Sequence, residues 1–110
     1  MQDDARLDAV FGALADPTRR LVVRRLLAGA ETATALAGDL PISRQAVVKH
    51  LQALAEAGLV AGVREGREVR YRAEPGPLGD AAEWLVATGA AWDRRLARLR
   101  GRLGGGAATR

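Results

Sequence analysis

This sequence has no cysteine, and histidine and lysine occur once each, as His50 and Lys49. The absence of cysteine excludes disulfides, thiolate metal sites and cysteine redox chemistry. One histidine leaves only carboxylates to complete a metal site, so we expect neither a metal nor another cofactor. No apolar run approaches the ~18 residues that span a bilayer, and no secretory leader pattern opens the sequence. We therefore expect a cytoplasmic protein that does not associate with membranes.

The positive charge comes almost entirely from arginine. The formal net charge is +4 and the sequence pI is near 10.9, which is consistent with a polyanionic partner. Arginine suits bidentate contacts with phosphate or guanine, but a GC-rich genome produces the same bias, so charge alone decides little. The length of 110 residues predicts one domain, over residues 1–103, followed by a disordered Gly-rich tail at 104–110.

Apolar periodicity predicts two N-terminal helices. The first has an i, i+3, i+4, i+7 stripe formed by Leu7, Val10, Phe11 and Leu14. Asp16 and Pro17 suit the N-cap and first position of a second helix, which ends at Gly29. The residues expected to be buried on this helix are Leu21, Val22, Leu26 and either Val23 or Leu27. Its outer face is expected to be basic, with Arg19, Arg20, Arg24 and Arg25.

The next two helices are predicted to be joined by a tight turn. Thr32 or Thr34 can cap a short third helix that reaches Gly38 or Asp39, and Leu40-Pro41-Ile42 follows as the turn. Ser43 is placed to cap the fourth helix, which ends at Gly58. Its buried face is predicted to consist of Val47, Leu51 and Leu54.

The front of the fourth helix has the residues that we expect to contact DNA. Its exposed face is predicted to hold Ser43, Arg44, Gln45, Val48, Lys49 and Gln52. Arg44 can pair with guanine, Gln45 with adenine, and Val48 can meet a thymine methyl group. Ser43 and Lys49 are expected on phosphates, which fix register without reading sequence. A solvated helix face has a similar composition, so it is the order helix, turn, helix and basic hairpin that indicates DNA binding.

A β-hairpin, here called the wing, is predicted at residues 60–72 with its turn at Gly66. Arg64 and Arg67 are its expected DNA contacts, and Arg67 at the tip suits a narrow minor groove. Arg70 and Arg72 share a strand face with Glu68, so not all four arginines can face DNA. The alternative role for this charge is to block sheet-to-sheet aggregation.

The last helix has a heptad seam over about 26 residues, or ~39 Å. The seam residues are Leu78, Ala82, Leu85, Gly89, Trp92, Leu96, Leu99 and Leu103. Such a helix can cover the domain's own core, but it is longer than this domain needs, and Trp84 and Trp92 are large apolar surfaces. We therefore expect a homodimer whose interface includes Leu7, Val10, Phe11, Leu85, Trp92, Leu96 and Leu99.

The segments Phe11–Arg20 and Leu40–Leu51 resemble the ArsR/SmtB family of bacterial winged-helix regulators. The resemblance continues through Glu56–Val60 and the wing to the last helix, over roughly residues 7–103. It implies a homodimer that binds an operator, usually represses transcription and is released by an inducer. Metal-sensing members have a cysteine pair on the third helix or histidines on the last helix. This chain has neither, so the resemblance does not imply a metal sensor.

The resulting prediction is a mainly α winged helix-turn-helix with a small β-hairpin, dimerising through its long C-terminal and N-terminal helices. We expect a sequence-specific repressor of a palindromic double-stranded DNA operator, without metal and with an unknown inducer. Two alternatives remain: a winged-helix module for protein contacts, or a repressor released by a small apolar ligand that binds near Trp84 and Trp92 at the dimer interface. No catalytic residue is expected, because Ser43 and His50 lack a third partner. His50 is interpreted as a packed histidine whose ring N–H bonds to the backbone.

Overall fold

The computed structural model describes residues 2–104, which form five helices and a three-stranded antiparallel sheet. The elements in chain order are α1 (Gln2–Leu14), α2 (Pro17–Ala28), β1 (Glu31–Thr32), α3 (Ala33–Asp39), α4 (Arg44–Glu56), β2 (Val60–Glu65), β3 (Glu68–Ala73) and α5 (Pro75–Gly104). This arrangement confirms the predicted winged helix-turn-helix. The tail predicted to be disordered lies outside the described residues except for Gly104, which ends α5.

The helix boundaries follow from their caps. The Asp16 carboxylate accepts hydrogen bonds from the backbone N–H groups of Thr18 and Arg19, at 2.7 and 3.1 Å, and thereby starts α2. Thr32 accepts from the Ala35 N–H at 3.1 Å and starts α3, so Thr32 and not Thr34 is the cap. Gly58 ends α4 in a left-handed conformation with φ 79°, where glycine is favoured.

One hydrophobic core lies between the helices and the sheet. Its buried residues come from every helix, from the turn between α3 and α4, and from the start of β2 with the residue before it: Val10, Ala13, Val22, Val23, Leu26, Ala33, Leu36, Leu40, Val47, Leu51, Leu54, Leu59, Val60 and Ala81. The prediction that Leu21 is buried was wrong, because its side chain is 44% exposed. On α2 the core-facing stripe is formed by Val22, Val23 and Leu26, which places Leu21 on the shoulder of the helix.

The wing is a β-hairpin extended by a third strand that the sequence did not predict. β2 and β3 pair in antiparallel register from Val60 opposite Ala73 to Glu65 opposite Glu68, and Gly66 turns the chain with φ 64°. β1 adds to the other edge of β3, with Glu31 opposite Tyr71 and Thr32 opposite Arg70. The strand order β1-β3-β2 therefore ties the middle of β3 to the start of α3.

The last helix starts three residues earlier than predicted, at Pro75 instead of Leu78. Proline is compatible with the first turn of a helix because the N–H it lacks has no helical partner there, so Pro75 and Pro77 do not delay the helix. With 30 residues, α5 is ~45 Å long and extends beyond the core. The radius of gyration is 19.5 Å, against the roughly 13 Å expected of a compact chain of this length.

A polar contact joins α2 to α4 behind the exposed face of α4. The Nε–H of Arg19 donates to His50 Nδ1 at 3.4 Å, while the backbone N–H of Arg19 is bonded to the Asp16 carboxylate. Contrary to the prediction, no hydrogen bond from the His50 ring N–H to the backbone is found among the described residues, where its bonding partner is the Arg19 side chain. Arg19 therefore does not lie wholly on an outer basic face. The Arg19 N–H bond, followed by that of Thr18, lowers the pKa of Asp16 despite partial desolvation, and the nearby His50 and Arg19 side chains act in the same direction.

We predict that Gly62→Ala destabilises the wing by about 1–3 kcal/mol, because the added Cβ has too little space. A Cβ at this position would lie 2.7 Å from Val69 Cγ1 and 3.0 Å from Tyr71 Cε1 on the paired strand. Thermal unfolding followed by circular dichroism measures the loss. Gly12→Ala is the control, since its Cβ has open space on α1 and should stabilise by about 0.5–1 kcal/mol. An unchanged melting temperature for Gly62→Ala would contradict the prediction.

We also predict that the Asp16 cap makes stability depend on acid pH. Its pKa is lower in the folded chain than in the unfolded chain, so the stabilisation is complete above about pH 4 and is lost as the pH falls through the folded value. Denaturant unfolding at several pH values should show the Asp16→Ala variant less stable than wild type at pH 7 and the difference shrinking at low pH. Asp16→Asn keeps a capping oxygen that does not titrate, and it should retain most of the neutral-pH stability. A difference that grows as the pH falls would refute this.

Candidate nucleic-acid interface

The N-terminal turn of α4 is held in place by Ser43. Its Oγ accepts a hydrogen bond from the Ala46 N–H at 3.1 Å, and its extended backbone directs the chain out of the preceding turn. Leu40 is buried and Ile42 is half-buried against the core, so the α3–α4 turn is packed on both sides of Pro41. Because the Ser43 hydroxyl uses only an acceptor site in capping, its O–H remains able to donate to a phosphate.

The two faces of α4 differ sharply in burial. Val47, Leu51 and Leu54 are each 0% exposed, as the periodicity predicts. The exposed face carries most of the residues assigned to DNA contact, namely Ser43, Arg44, Gln45, Lys49 and Gln52. Val48 is half-buried and packs against the core, so less of its side chain reaches the surface than the sequence suggests.

Arg44 is exposed at the first position of α4, but a residue of α3 orients its side chain. The Nε–H of Arg44 donates to Thr34 Oγ1 at 3.1 Å. From the sequence, Thr34 is expected only as a possible helix cap. No spacing rule links residues ten apart across a turn, so the sequence offered no signal for this contact.

The wing places its arginines in two groups. Arg70 donates from Nε to Glu65 Oε1 at 3.0 Å and from a terminal nitrogen to the Ala30 carbonyl oxygen at 3.4 Å. The Glu65 carboxylate raises the pKa of Arg70 above its ordinary value. Arg72 donates to Glu74 at 2.9 Å. Arg64 and Arg67 are exposed near the tip, and no ion pair to either of them is found among the described residues.

The residues assigned to a dimer interface have different environments. Val10 is only 1% exposed, so it belongs to the protomer's own core and cannot contribute surface to a partner. Leu7, Phe11 and Leu96 are half-buried. Three seam residues of α5 are largely accessible: Leu85 is 54% exposed, Trp92 57% and Leu99 49%.

Trp84 and Trp92 do not share one environment. Trp84 meets Phe11 of α1 edge to face, with ring centroids 5.7 Å apart and an interplanar angle of 64°. It also lines an open groove of about 1040 Å³ between α1, the end of α4 and the first half of α5. Glu56, Asp80 and Glu83 line the same groove, and Trp92 does not. One protomer therefore places only Trp84 in this groove, and the apolar-ligand site near both tryptophans at the dimer interface stays a prediction.

Neither a metal-binding cluster nor a membrane-spanning helix is found in the part of the chain that the structure describes. Over residues 2–104, no group of three or more His, Cys, Asp and Glu side chains is arranged to hold a metal ion. No helix of the described chain combines the length and apolar character needed to cross a membrane.

The chain is similar in sequence to a known family of domains and to several named proteins. A family model described as a helix-turn-helix domain matches residues 14–63. The HTH-type transcriptional regulator Rv2034 of Mycobacterium tuberculosis is 44% identical over 68 residues, covering 62% of this chain and 64% of that protein. The match therefore spans a little less than two thirds of Rv2034. The transcriptional repressor SdpR of Bacillus subtilis is 31% identical over 80 residues, covering 73% of this chain and 89% of that protein.

The solved structures agree with the sequence matches. An ArsR-like transcriptional regulator from Rhodococcus sp. RHA1 superposes with a TM-score of 0.85 at 43% identity, covering 96% of this chain and 100% of that chain. An ArsR family transcriptional regulator, RHA00566, has a TM-score of 0.75 at 31% identity, covering 82% of this chain and 93% of that one. These relatives are regulators and not enzymes. The chain belongs to the ArsR/SmtB family of winged helix-turn-helix regulators, which bind DNA to control transcription.

Proposed function

We propose that this protein is a homodimeric repressor that reads a palindromic operator with α4 and the wing. The exposed front of α4 supports this most directly. Arg44 and Gln45 face solvent at its first turn, while the opposite face of the helix is buried. A helix that enters the major groove by its N-terminal end presents these two side chains to base edges. SdpR, a relative over most of its own length, is named as a repressor.

Within this proposal the exposed residues divide into two roles. Arg44 donates to guanine O6 and N7, and Gln45 pairs with adenine, so these two select sequence. Ser43, Lys49 and Gln52 hold the backbone and fix the register. Arg67 at the wing tip enters the adjacent minor groove and Arg64 supports it, because neither side chain is paired with a carboxylate in the described chain.

Dimerisation through α5 and α1 is supported by the apolar surface that one protomer leaves uncovered. Leu85, Trp92 and Leu99 recur along one side of a helix that extends past the core. The first half of α5 has Asp80 and Glu83, and the second half has a run of arginines at positions 94, 95, 98, 100 and 102. Antiparallel pairing brings these opposite charges together. The two α4 helices of such a dimer match operator half-sites that lie about 34–36 Å apart or a multiple of that distance.

Metal-independent regulation is part of the proposal. The whole chain contains no cysteine and one histidine, and His50 already accepts a hydrogen bond from Arg19. Carboxylates without histidine or thiolate partners are weak ligands for the transition metals. The signal that releases the operator is therefore expected to be something other than a thiol-binding metal.

Substitutions on α4 test which residues read bases. Arg44→Ala should weaken the free energy of binding to the operator by about 1–3 kcal/mol, because a base contact is lost. It should also relax the sequence preference at one base pair. Lys49→Ala is the matched control and should weaken all duplexes about equally, because a phosphate carries no sequence information. Operators selected from a random duplex pool, and scrambled versions of them, are titrated by fluorescence anisotropy. Equal losses for Arg44→Ala on both duplexes would show that it does not read a base.

The same titrations separate DNA binding from the alternative of a protein-contact module. Binding that neutralises several phosphates gives a log affinity that falls linearly and steeply with log salt concentration. A module for an acidic protein partner shows no preference between the selected and scrambled duplexes. Absence of both the salt slope and the sequence preference would favour that alternative.

A charge on the α5 seam tests the dimer. Leu99→Glu should convert a dimer into monomers, because the buried carboxylates would face each other without partners, and operator affinity should fall by about 10²-fold as avidity is lost. Ala97→Glu is the control, since it adds the same charge at an exposed position away from the seam. Sedimentation equilibrium measures the oligomeric state. A wild-type protein that sediments as a monomer would contradict the dimer while leaving the α4 assignments intact.

A further inference from the structure

We propose that Thr34 of α3 is a specificity-determining positioning residue, which orients Arg44 for base reading without touching DNA itself. The inference rests on the proposed role of Arg44 as a base reader. Its basis is the hydrogen bond from Arg44 Nε to Thr34 Oγ1 at 3.1 Å, which joins α3 to the first residue of α4.

The chemistry of the partner distinguishes Arg44 from the arginines with a structural role. Arg25, Arg70 and Arg72 each form an ion pair with a carboxylate, provided by Asp39, Glu65 and Glu74 respectively. Such a partner neutralises the guanidinium and competes with a nucleic acid for it. The Thr34 hydroxyl is neutral, so Arg44 keeps its full positive charge while its direction is restrained.

The hydrogen bond also determines which edge of the guanidinium is available. A guanine is read by two parallel donors, which come either from Nε and one terminal nitrogen or from the two terminal nitrogens. Because Thr34 uses Nε, the end-on approach through the two terminal nitrogens remains. No hydrogen bond from either of these nitrogens to another described residue is found.

Restraining Arg44 before binding lowers the entropy that is lost on binding. A free arginine at the first turn of α4 samples many rotamers, and DNA must select one of them. The exposed Arg44–Thr34 bond is weak in water but strengthens when docking excludes water from the groove. Removing the hydroxyl should therefore affect the cognate duplex, where Arg44 is correctly placed, more than a non-specific duplex.

Thr34→Val removes the hydroxyl and keeps the shape of the side chain at an exposed position. We expect its affinity for the selected operator to fall about fivefold and its preference to weaken at the same base pair that Arg44→Ala affects, with non-specific duplex affinity unchanged. Thr34→Ser restores the hydroxyl and should bind within about twofold of wild type. In an Arg44→Ala background, Thr34→Val should have no further effect, because the residue it positions is absent.

Titrations on operators with each base pair changed in turn provide the measurements, and thermal unfolding checks that each variant is folded. Equal loss on all duplexes would overturn the inference and indicate that Thr34 holds a phosphate or only supports the fold. Unchanged specificity for Thr34→Val, alongside lost specificity for Arg44→Ala, overturns the inference but leaves the proposed function standing. Unchanged specificity for Arg44→Ala overturns both.

Discussion

Burial of one face of α4 is the constraint on which the interface depends. Val47, Leu51 and Leu54 are completely buried, and burying three such side chains contributes about 5–9 kcal/mol, as much as the whole net stability of many domains. A rotation of α4 about its axis would expose them, so the helix has one stable orientation. The exposed positions of Arg44, Gln45 and Lys49 are a consequence of that burial. The specific recognition that we propose for this helix therefore depends on the packing beneath it.

The arginines of this protein differ in the side chain that each one contacts. Exposed ion pairs such as Arg70–Glu65 and Arg72–Glu74 contribute little stability because solvent screens them, and both join residues of the wing or of the segment directly after it. Arg44, by contrast, has a neutral partner, Thr34, and keeps its charge. Because several of the 17 Lys and Arg residues are paired with carboxylates, the net charge overstates the size of the binding surface that we propose.

The long last helix, α5, has apolar surface that a single protomer leaves uncovered. Ala81 near its start is buried in the core, and Trp84 packs on Phe11, but Leu85, Trp92 and Leu99 are largely exposed. The heptad pattern predicted this surface because it repeats over more turns than the core can cover. The apolar pattern of α1 could not show that the Val10 side chain is buried in the core while the Phe11 side chain lies at the edge of the core. Neighbouring residues of one apolar stripe differ only in the elements that pack against them.

Caps, glycine turns and periodicity act over a few residues, so the sequence alone predicted the bounds of α2 and α4, the buried face of α4 and the wing. It did not predict β1, which is only two residues long and is defined by pairing with β3, nor the start of α5 at Pro75. Contacts between residues distant in the chain were decided by the tertiary structure alone. Arg19 meets His50, and Thr34 meets Arg44, only because packing of the core brings α2 and α3 against α4.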